Sequence, residues 1–219
     1  MAQIYQDRIQ AGEVLANILA REQIRDPVVL ALPRGGVPLG AIVAERLHAP
    51  LDVILVRKIS VPGNEEVAAG AIVDGTPPVT VFNQDVMRLR HLVPADLQDT
   101  IRKKIRQIDD RRKRYFGDAT PLPVAGKTAI VVDDGIATGA TVLAALRGLR
   151  KRNPARIILA VPVAARDALE RIAPEVDRII CPLIPAPFYA VGAYYTTFGQ
   201  TSDDEVVDIL RRFRGATSR

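Results

Sequence analysis

The chain has 219 residues, of which 48% are hydrophobic, and it carries a formal net charge of +5 with an isoelectric point near 9.6. A chain of this length and composition is enough for one α/β domain with a full core. The sequence contains no apolar run of about 18 residues and no charged segment followed by an apolar one at its start. We therefore expect no membrane span and no secretion, but a cytoplasmic setting. The single cysteine, Cys181, excludes an internal disulfide and a cysteine-rich metal site, and we expect it to be a small core residue.

The first part of the chain predicts a helix, then a strand, a turn and a second helix. Apolar residues at helical spacing predict a helix over residues 8–21, and residues 28–32 form an apolar run typical of a core strand. A turn of Pro33, Arg34, Gly35 and Gly36 follows, and helical spacing resumes at Val37. The turn offers consecutive backbone donors, two glycines that tolerate positive φ and a guanidinium suited to phosphate, so it is a candidate pyrophosphate-binding loop.

The next strand, predicted over residues 52–56, ends in two cations, Arg57 and Lys58. If it belongs to a parallel sheet, its carboxyl end lies beside those of its neighbours, where ligands bind in such sheets. Two solvated cations at a strand end are the alternative interpretation. The turn-rich residues 59–66 are typical of a mobile lid over a site.

The middle of the chain predicts a flap and a basic helix. Residues 69–73 and 79–82 read as two short strands of a hairpin. Apolar residues from Leu97 to Ile108 recur at helical spacing, and the helix they predict has a basic outer face. Its basic residues are Arg102, Lys103, Lys104, Arg106, Arg111, Arg112, Lys113 and Arg114. Such a face is most often solvated; the alternative is an RNA-binding face with Tyr115 and Phe116 as stacking aromatics.

Residues 129–141 are the most informative stretch. The apolar run 129–132 is typical of a buried strand, and it ends in adjacent carboxylates, Asp133 and Asp134. A loop of small residues leads into helical spacing from Val142. The free N–H groups of such a loop suit a phosphate, and paired acids suit sugar hydroxyls or a hydrated divalent cation. A sugar 5-phosphate needs both; the alternatives are a phosphoacceptor receiver domain and an ordinary turn with solvated acids.

The last third of the chain continues the alternation. Residues 156–161 and 178–181 predict strands, with a helix near 165–172, so the whole pattern is that of a doubly wound, mostly parallel α/β sheet. Residues 185–195 gather four of the ten Phe and Tyr residues. The final helix, from about residue 201, begins with Ser202 and Glu205 at capping-box spacing.

Residues 131–141 resemble the motif that binds 5-phosphoribosyl 1-pyrophosphate (PRPP) in type I phosphoribosyltransferases: an apolar run, two acids and a loop ending Thr-Gly-x-Thr. The resemblance covers most of the chain and extends to uncharacterised bacterial members with this layout. It implies the type I fold as one domain over residues 1–219, with a flap and basic-helix insertion at 74–123 and a hood at 182–219. It also implies a magnesium-dependent, cytoplasmic homodimer that transfers the phosphoribosyl group of PRPP to a base in nucleotide salvage, without nucleic acid or membrane partners.

The resemblance assigns roles to individual residues. The PRPP-binding residues it implies are Arg34, Gly35, Gly36, Arg57, Lys58, Asp133, Asp134, Gly135, Ala137, Thr138, Gly139, Ala140 and Thr141. The catalytic residues among them are Arg34, Lys58, Asp133 and Asp134. The two acids would hold the ribose hydroxyls and support Mg²⁺, through water or PRPP where not directly.

The acceptor stays open at this stage. In purine members an aromatic residue stacks on the base near the hood, and Phe188 or Tyr189 matches it; packing of these rings on the sheet is the alternative. The 6-oxopurine branch has an acid before Thr-Gly, where this chain has Ala137. Two other functions fit the same sugar site: a PRPP or nucleotide sensor that binds RNA through the basic helix, and a hydrolase or phosphorylase that uses water or phosphate.

Overall fold

A computed structural model describes residues 4–216 of the chain. The strands are β1 Pro27–Ala31, β2 Leu51–Val53, β3 Val56–Val61, β4 Asn64–Val73, β5 Val79–Phe82, β6 Thr128–Val132, β7 Arg156–Ala160 and β8 Arg178–Ile180. The helices are α1 Arg8–Leu19, α2 Gly36–Leu47, α3 Gln84–Leu89, α4 Gln98–Phe116, α5 Ala140–Arg150, α6 Arg166–Ile172 and α7 Asp203–Ala216. The ends of the predicted 1–219 domain, residues 1–3 and 217–219, lie outside the described residues.

A five-stranded parallel sheet in the order β2-β1-β6-β7-β8 forms the centre of the molecule. Both of its faces are buried, which explains why these strands read as continuous apolar runs. Val29 and Ile130 pack in one core cluster with α1 and α2, while Leu30 and Val131 pack in the other with α5 and α6. The predicted doubly wound α/β class is confirmed.

A second sheet of three antiparallel strands, β3-β4-β5, packs beside α5. The predicted flap hairpin is present as β4 and β5, and β4 extends back to Asn64. The predicted lid, residues 59–66, is the outer end of the β3–β4 hairpin, which turns at Pro62 and Gly63. This segment is therefore paired strand rather than loop.

The predicted strand over residues 52–56 is wrong, because the chain changes sheets there. β2 ends at Val53 in the parallel sheet, and β3 begins at Val56 in the antiparallel one. Ile54 and Leu55 are buried in the crossing, so the apolar run is continuous although the strand is not. Arg57 and Lys58 consequently lie within β3 and not at a carboxyl edge, and strand alternation directs them to opposite faces.

Helix α4 matches the predicted basic helix, but its cations are only partly solvated. Arg112 forms ion pairs with two buried acids, Asp52 and Asp74. Arg111 and Arg114 pair with acids at the start of α7. Tyr115 and Phe116 are buried, which argues against the alternative in which they stack on RNA.

The last helix, α7, begins as the sequence predicts. The Ser202 and Glu205 capping box is confirmed: each side chain accepts a hydrogen bond from the other residue's backbone N–H.

Cys181 is half-buried, and burial raises the pKa of its thiol to about 12, as expected of a core residue. None of the helices within residues 4–216 is long and apolar enough to cross a membrane.

Candidate functional site

The turn after β1 and the loop after β6 lie side by side, because β1 and β6 are neighbours in the parallel sheet. A Cβ atom on Gly35 would overlap Oδ2 of Asp134, and one on Gly36 would stand 2.5 Å from the carbonyl oxygen of Val132. No larger residue fits either position without displacing the acid loop. The candidate pyrophosphate turn and the acid pair, about a hundred residues apart in sequence, therefore form one site.

The two acids have different surroundings. The N–H of Asp134 donates to Oδ1 of Asp133 at 2.9 Å. Burial, and next the charge of Asp134, raise the pKa of Asp133 well above its usual value. Oδ2 of Asp134 accepts from Nε and Nη2 of Arg8, at 2.9 and 2.7 Å, while its carbonyl accepts from the hydroxyl of Tyr195 at 2.6 Å. A second cation or hydroxyl donors would stabilise Asp133 in its ionised form.

The loop before α5 has the form of a phosphate cradle. Gly139 has a φ of 73°, the left-handed region that favours glycine, and α5 begins directly after it. The first turn of an α-helix leaves backbone N–H groups without intrahelical partners, and these attract anions. The side chains of Thr138 and Thr141 are exposed, and Nη2 of Arg171 holds the carbonyl of Thr138 at 3.2 Å. Residues 137–141 thus offer backbone N–H and hydroxyl donors to an anion, and none of them carries a carboxylate that would repel it.

The three predicted cations divide between two sides of the site. Arg34 is exposed in the turn after β1. Lys58 is exposed on β3 and lines, with Thr141, a cavity of about 490 Å³ between the antiparallel sheet and α5. Arg57 lies on the opposite face of β3, where burial and the charge of Arg111 lower its pKa. Lys58 thus borders the phosphate loop, and Arg57 is directed away from it.

The predicted base-stacking residues belong to a folded aromatic segment. Phe188 is half-buried, with its ring centroid 5.6 Å from that of Tyr194. Tyr189 is 79% exposed. The side chain of Val191 covers Gly135, within 2.5 Å of where a Cβ would be. The hood therefore packs against the acid loop, and Tyr189 stays exposed.

A preformed metal cage is absent from residues 4–216, where no group of three His, Cys, Asp or Glu side chains could hold an ion. Asp133 and Asp134 are the two carboxylates at this edge of the sheet. Magnesium commonly binds one or two carboxylates and takes its remaining ligands from water and substrate phosphates. The donor set therefore fits a magnesium ion that arrives with a phosphorylated ligand.

Sequence reasoning missed two residues of this site. Arg8 and Tyr195 both contact Asp134 but lie 126 and 61 residues from it in the chain. Neither stands in a motif, and no local pattern pairs a residue of α1 with the end of β6. Only the packing of α1 and the hood beside the acid loop identifies them.

Comparison of the sequence with known proteins finds a matching family model and similar curated proteins. The model of the phosphoribosyl transferase domain matches residues 2–190. A curated protein of Mycobacterium tuberculosis, which carries the provisional name phosphoribosyl transferase Rv0571c, is 44% identical over 209 residues, 95% of this chain and 47% of that protein. The chain thus spans about half the length of the curated relatives it matches.

Solved structures show the same fold. TT1426 from Thermus thermophilus superposes with a TM-score of 0.84 at 37% identity, over 96% of this chain and 99% of that one. A hypothetical protein from Neisseria gonorrhoeae, solved with bound ppGpp, superposes with a TM-score of 0.54 at 15% identity, over 97% and 98% of the two chains. The second likeness is one of fold alone.

Proposed function

This chain belongs to the phosphoribosyl transferase family, and from that premise we propose that it transfers the 5-phosphoribosyl group of PRPP to a nitrogenous base and releases pyrophosphate. The family that residues 131–141 indicated is thereby confirmed. One observation supports the proposal most: a Cβ on Gly35 would overlap the carboxylate of Asp134, so the turn after β1 and the acid pair lie together at one sheet edge.

Each part of the site suits one part of PRPP. The backbone N–H groups of residues 137–141, with the hydroxyls of Thr138 and Thr141, would hold the 5-phosphate. Asp133 and Asp134 would accept hydrogen bonds from the two ribose hydroxyls. Gly35 and Gly36 would allow the backbone to approach the pyrophosphate closely, and the exposed side chains of Arg34 and Lys58 would supply positive charge. The half-buried Arg57 contributes least in this arrangement.

Magnesium fits this arrangement as a proposed cofactor. Bound at the acid pair and to the pyrophosphate, it would supply positive charge where negative charge accumulates. The chain's own part is to keep Asp133 and Asp134 fixed: Arg8 offsets one negative charge, and Tyr195 anchors the backbone of Asp134. Ribose hydroxyls donating to Asp133 would lower its raised pKa on binding.

The reaction depends on position and electrostatics. Loss of pyrophosphate leaves positive charge at C1 of the ribose, so the residues that matter are those that orient the sugar and neutralise the leaving group. The hairpin β3–β4, which carries Lys58, would exclude water from that carbon. Phe188 or the exposed Tyr189 would stack on the acceptor base. A cytoplasmic location, a role in nucleotide salvage and a homodimer remain predictions of the sequence.

The RNA-binding sensor is less well supported than the enzyme. Four of the eight cations counted in α4 form ion pairs within the described residues: Arg102 with an acid of the same helix, and Arg111, Arg112 and Arg114 with acids outside it. The two nearby aromatics are buried. An RNA-binding face would need these groups free, and the affinity of such a face would fall steeply as salt is raised.

Pyrophosphate release from labelled PRPP, screened against purine, pyrimidine and nicotinate-like acceptors, tests the proposal. We expect release that depends on one class of base and on magnesium. Release with water or phosphate alone would identify the hydrolase or phosphorylase instead. Tight binding of RNA with no release under any condition would favour the sensor.

A further inference from the structure

The proposed function uses Arg8 only as a charge that offsets one of the two acids. Among residues 4–216 it alone forms an ion pair with either acid of the pair. Its side chain is 13% exposed and that of Asp134 is 16% exposed, so the pair is largely removed from solvent. A partly buried ion pair is a fixed element of a site rather than a fluctuating surface contact.

Every side of the Arg8 guanidinium is engaged. Nε and Nη2 donate to Oδ2 of Asp134, Nη1 donates to the carbonyl of Gly199 at 2.5 Å, and Cζ lies 4.0 Å from the centroid of the Phe198 ring. A planar fork with fixed donors holds a carboxylate in one orientation, which a lysine ammonium does not do. Arg8 therefore fixes where the other oxygen of Asp134 lies.

That other oxygen is available to a ligand. Both guanidinium donors bind Oδ2, and within the described part of the chain no N–H or alcohol hydroxyl donates to Oδ1 of Asp134. An ionised carboxylate accepts at both oxygens, so Oδ1 can receive a sugar hydroxyl while Arg8 stays in place. Binding of the sugar does not require Arg8 to leave.

Arg8 also connects the acid pair to the hood. The backbone of Tyr5 and Gln6 pairs with residues 194–197: Tyr5 donates to the carbonyl of Tyr194 and accepts from Thr196, and Gln6 accepts from Thr197. The rings of Tyr195 and Phe198 stack at 4.8 Å beneath the Arg8 contacts. The hydroxyl of Tyr195 donates a hydrogen bond to the carbonyl of Asp134, so the hood segment contacts the acid loop directly as well as through Arg8. Acid loop, N-terminal segment and hood segment are held as one unit.

We propose that Arg8 is a positioning residue of the sugar site: it remains bound to Oδ2 of Asp134 and presents Oδ1 to a ribose hydroxyl while holding hood residues 194–199 against the acid loop. This inference rests on the proposed function. It predicts that Arg8 increases the affinity for PRPP, whereas a guanidinium that merely competed with the sugar for Asp134 would decrease it.

The test is calorimetric titration of the full chain with PRPP, without an acceptor and at fixed magnesium, for the wild type, Arg8→Gln, Arg8→Lys and Arg178→Gln. Arg178 is a matched control, because it forms one ion pair, with Glu22, at the start of β8 and so at the opposite edge of the sheet. We expect affinity to fall about tenfold in Arg8→Gln and by a smaller factor, about threefold, in Arg8→Lys, with no change in Arg178→Gln.

Hydrogen exchange of the same proteins supplies the second reading. In Arg8→Gln we expect faster amide exchange over residues 194–199, and PRPP should slow that exchange in the wild type but not in the variant. Faster exchange with unchanged PRPP affinity would reduce Arg8 to a structural contact and overturn the proposal. Tighter PRPP binding in Arg8→Gln would overturn it in favour of competition.

The two proposals fail differently in this experiment. If the wild type binds PRPP but Arg8→Gln binds it equally well, only the role of Arg8 is wrong. If the wild type itself binds no PRPP, the proposed function is wrong and the role of Arg8 at a ribose falls with it.

Discussion

Two clusters in this molecule have the same composition, two aspartates and one arginine, but differ in what they leave unused. One contains Asp52, Asp74 and Arg112, and joins α4 to both sheets. The other contains Asp133, Asp134 and Arg8, at the carboxyl edge of β6. The guanidinium nitrogen of Arg112 lies 3.2 and 2.6 Å from carboxylate oxygens of Asp52 and Asp74, and that of Arg8 lies 2.7 Å from Oδ2 of Asp134.

In the first cluster every carboxylate oxygen accepts a hydrogen bond from the protein. Oδ1 of Asp52 accepts from Arg112 and its Oδ2 from the N–H of Leu122, while Oδ1 of Asp74 accepts from the N–H of Leu55 and its Oδ2 from Arg112. Arg112 additionally donates to the carbonyl of Val53. No acceptor remains for a ligand, so this cluster is structural.

The second cluster is incomplete. Within residues 4–216, Asp133 accepts a hydrogen bond only from the N–H of Asp134, and no N–H or alcohol hydroxyl donates to Oδ1 of Asp134. Composition alone therefore does not distinguish a structural ion network from a binding site. Unused acceptors at a sheet edge, beside a loop of backbone donors, do distinguish them.

Breaking the complete cluster should have the largest effect on stability. Arg112→Met leaves two buried carboxylates without their ion-pair partner, which we expect to lower the free energy of unfolding by about 3–5 kcal/mol. Urea unfolding measures it, with Arg114→Met as the control. Arg114 is 54% exposed, so its loss should cost at most about 1 kcal/mol. Equal costs for the two variants would contradict the distinction.

Neutralising the incomplete cluster should affect function instead. In the Asp133→Asn, Asp134→Asn double variant we expect PRPP-dependent pyrophosphate release to fall by at least about 100-fold, because ribose and cation lose their charged acceptors. The free energy of unfolding should fall by no more than about 1 kcal/mol, since asparagine still accepts from Arg8 and the like-charge repulsion is gone. Unchanged release would refute the role of the acids.

Gly35→Ala sharpens the comparison by steric means alone. Its Cβ would overlap Oδ2 of Asp134, so the carboxylate must move. We expect a loss of PRPP affinity of about tenfold and a stability cost of about 1–3 kcal/mol. Gly148→Ala is the control, because its Cβ would be equally crowded, by the side chain of Val73, but in the last part of α5 and away from the acid pair. Wild-type affinity in Gly35→Ala would show that Asp134 is not held where PRPP binds.

The smallest expected effect is a pH dependence carried by Asp133. Its pKa is raised in the folded protein, so its contribution to stability is complete below its unfolded pKa, about 3.9, and is lost as pH rises through the folded pKa. Without magnesium or PRPP, the free energy of unfolding of the wild type should fall relative to Asp133→Asn as pH rises from about 4, by at most about 1.4 kcal/mol per pH unit. Parallel curves for the two proteins would contradict a raised pKa.

The sequence predicted what is local and missed what is distant. The three strand-turn-helix units that begin at β1, β6 and β7 could be recognised because apolar runs, small-residue turns and helical spacing are encoded within about 20 residues. The change of sheet after Val53 could not, since residues 54 and 55 are as buried as those of a strand. That error placed Arg57 beside Lys58 at a sheet edge.

The same limit applies to charges. Eight cations in residues 102–114 predicted a solvated face, but the acids that pair with Arg111, Arg112 and Arg114 come from β2, the end of β4 and the start of α7. Arg8 likewise finds its partner across 126 residues. Which charges are compensated is a property of packing, and sequence spacing reveals it only within one helix.

The most direct test of the central claim is a crystal structure of the chain with PRPP and magnesium. We predict the 5-phosphate against the backbone N–H groups of residues 137–141, the ribose hydroxyls on Asp133 and Oδ1 of Asp134, and Arg8 still on Oδ2. PRPP bound away from the acid pair, or no sugar phosphate at this sheet edge at millimolar ligand, would contradict it.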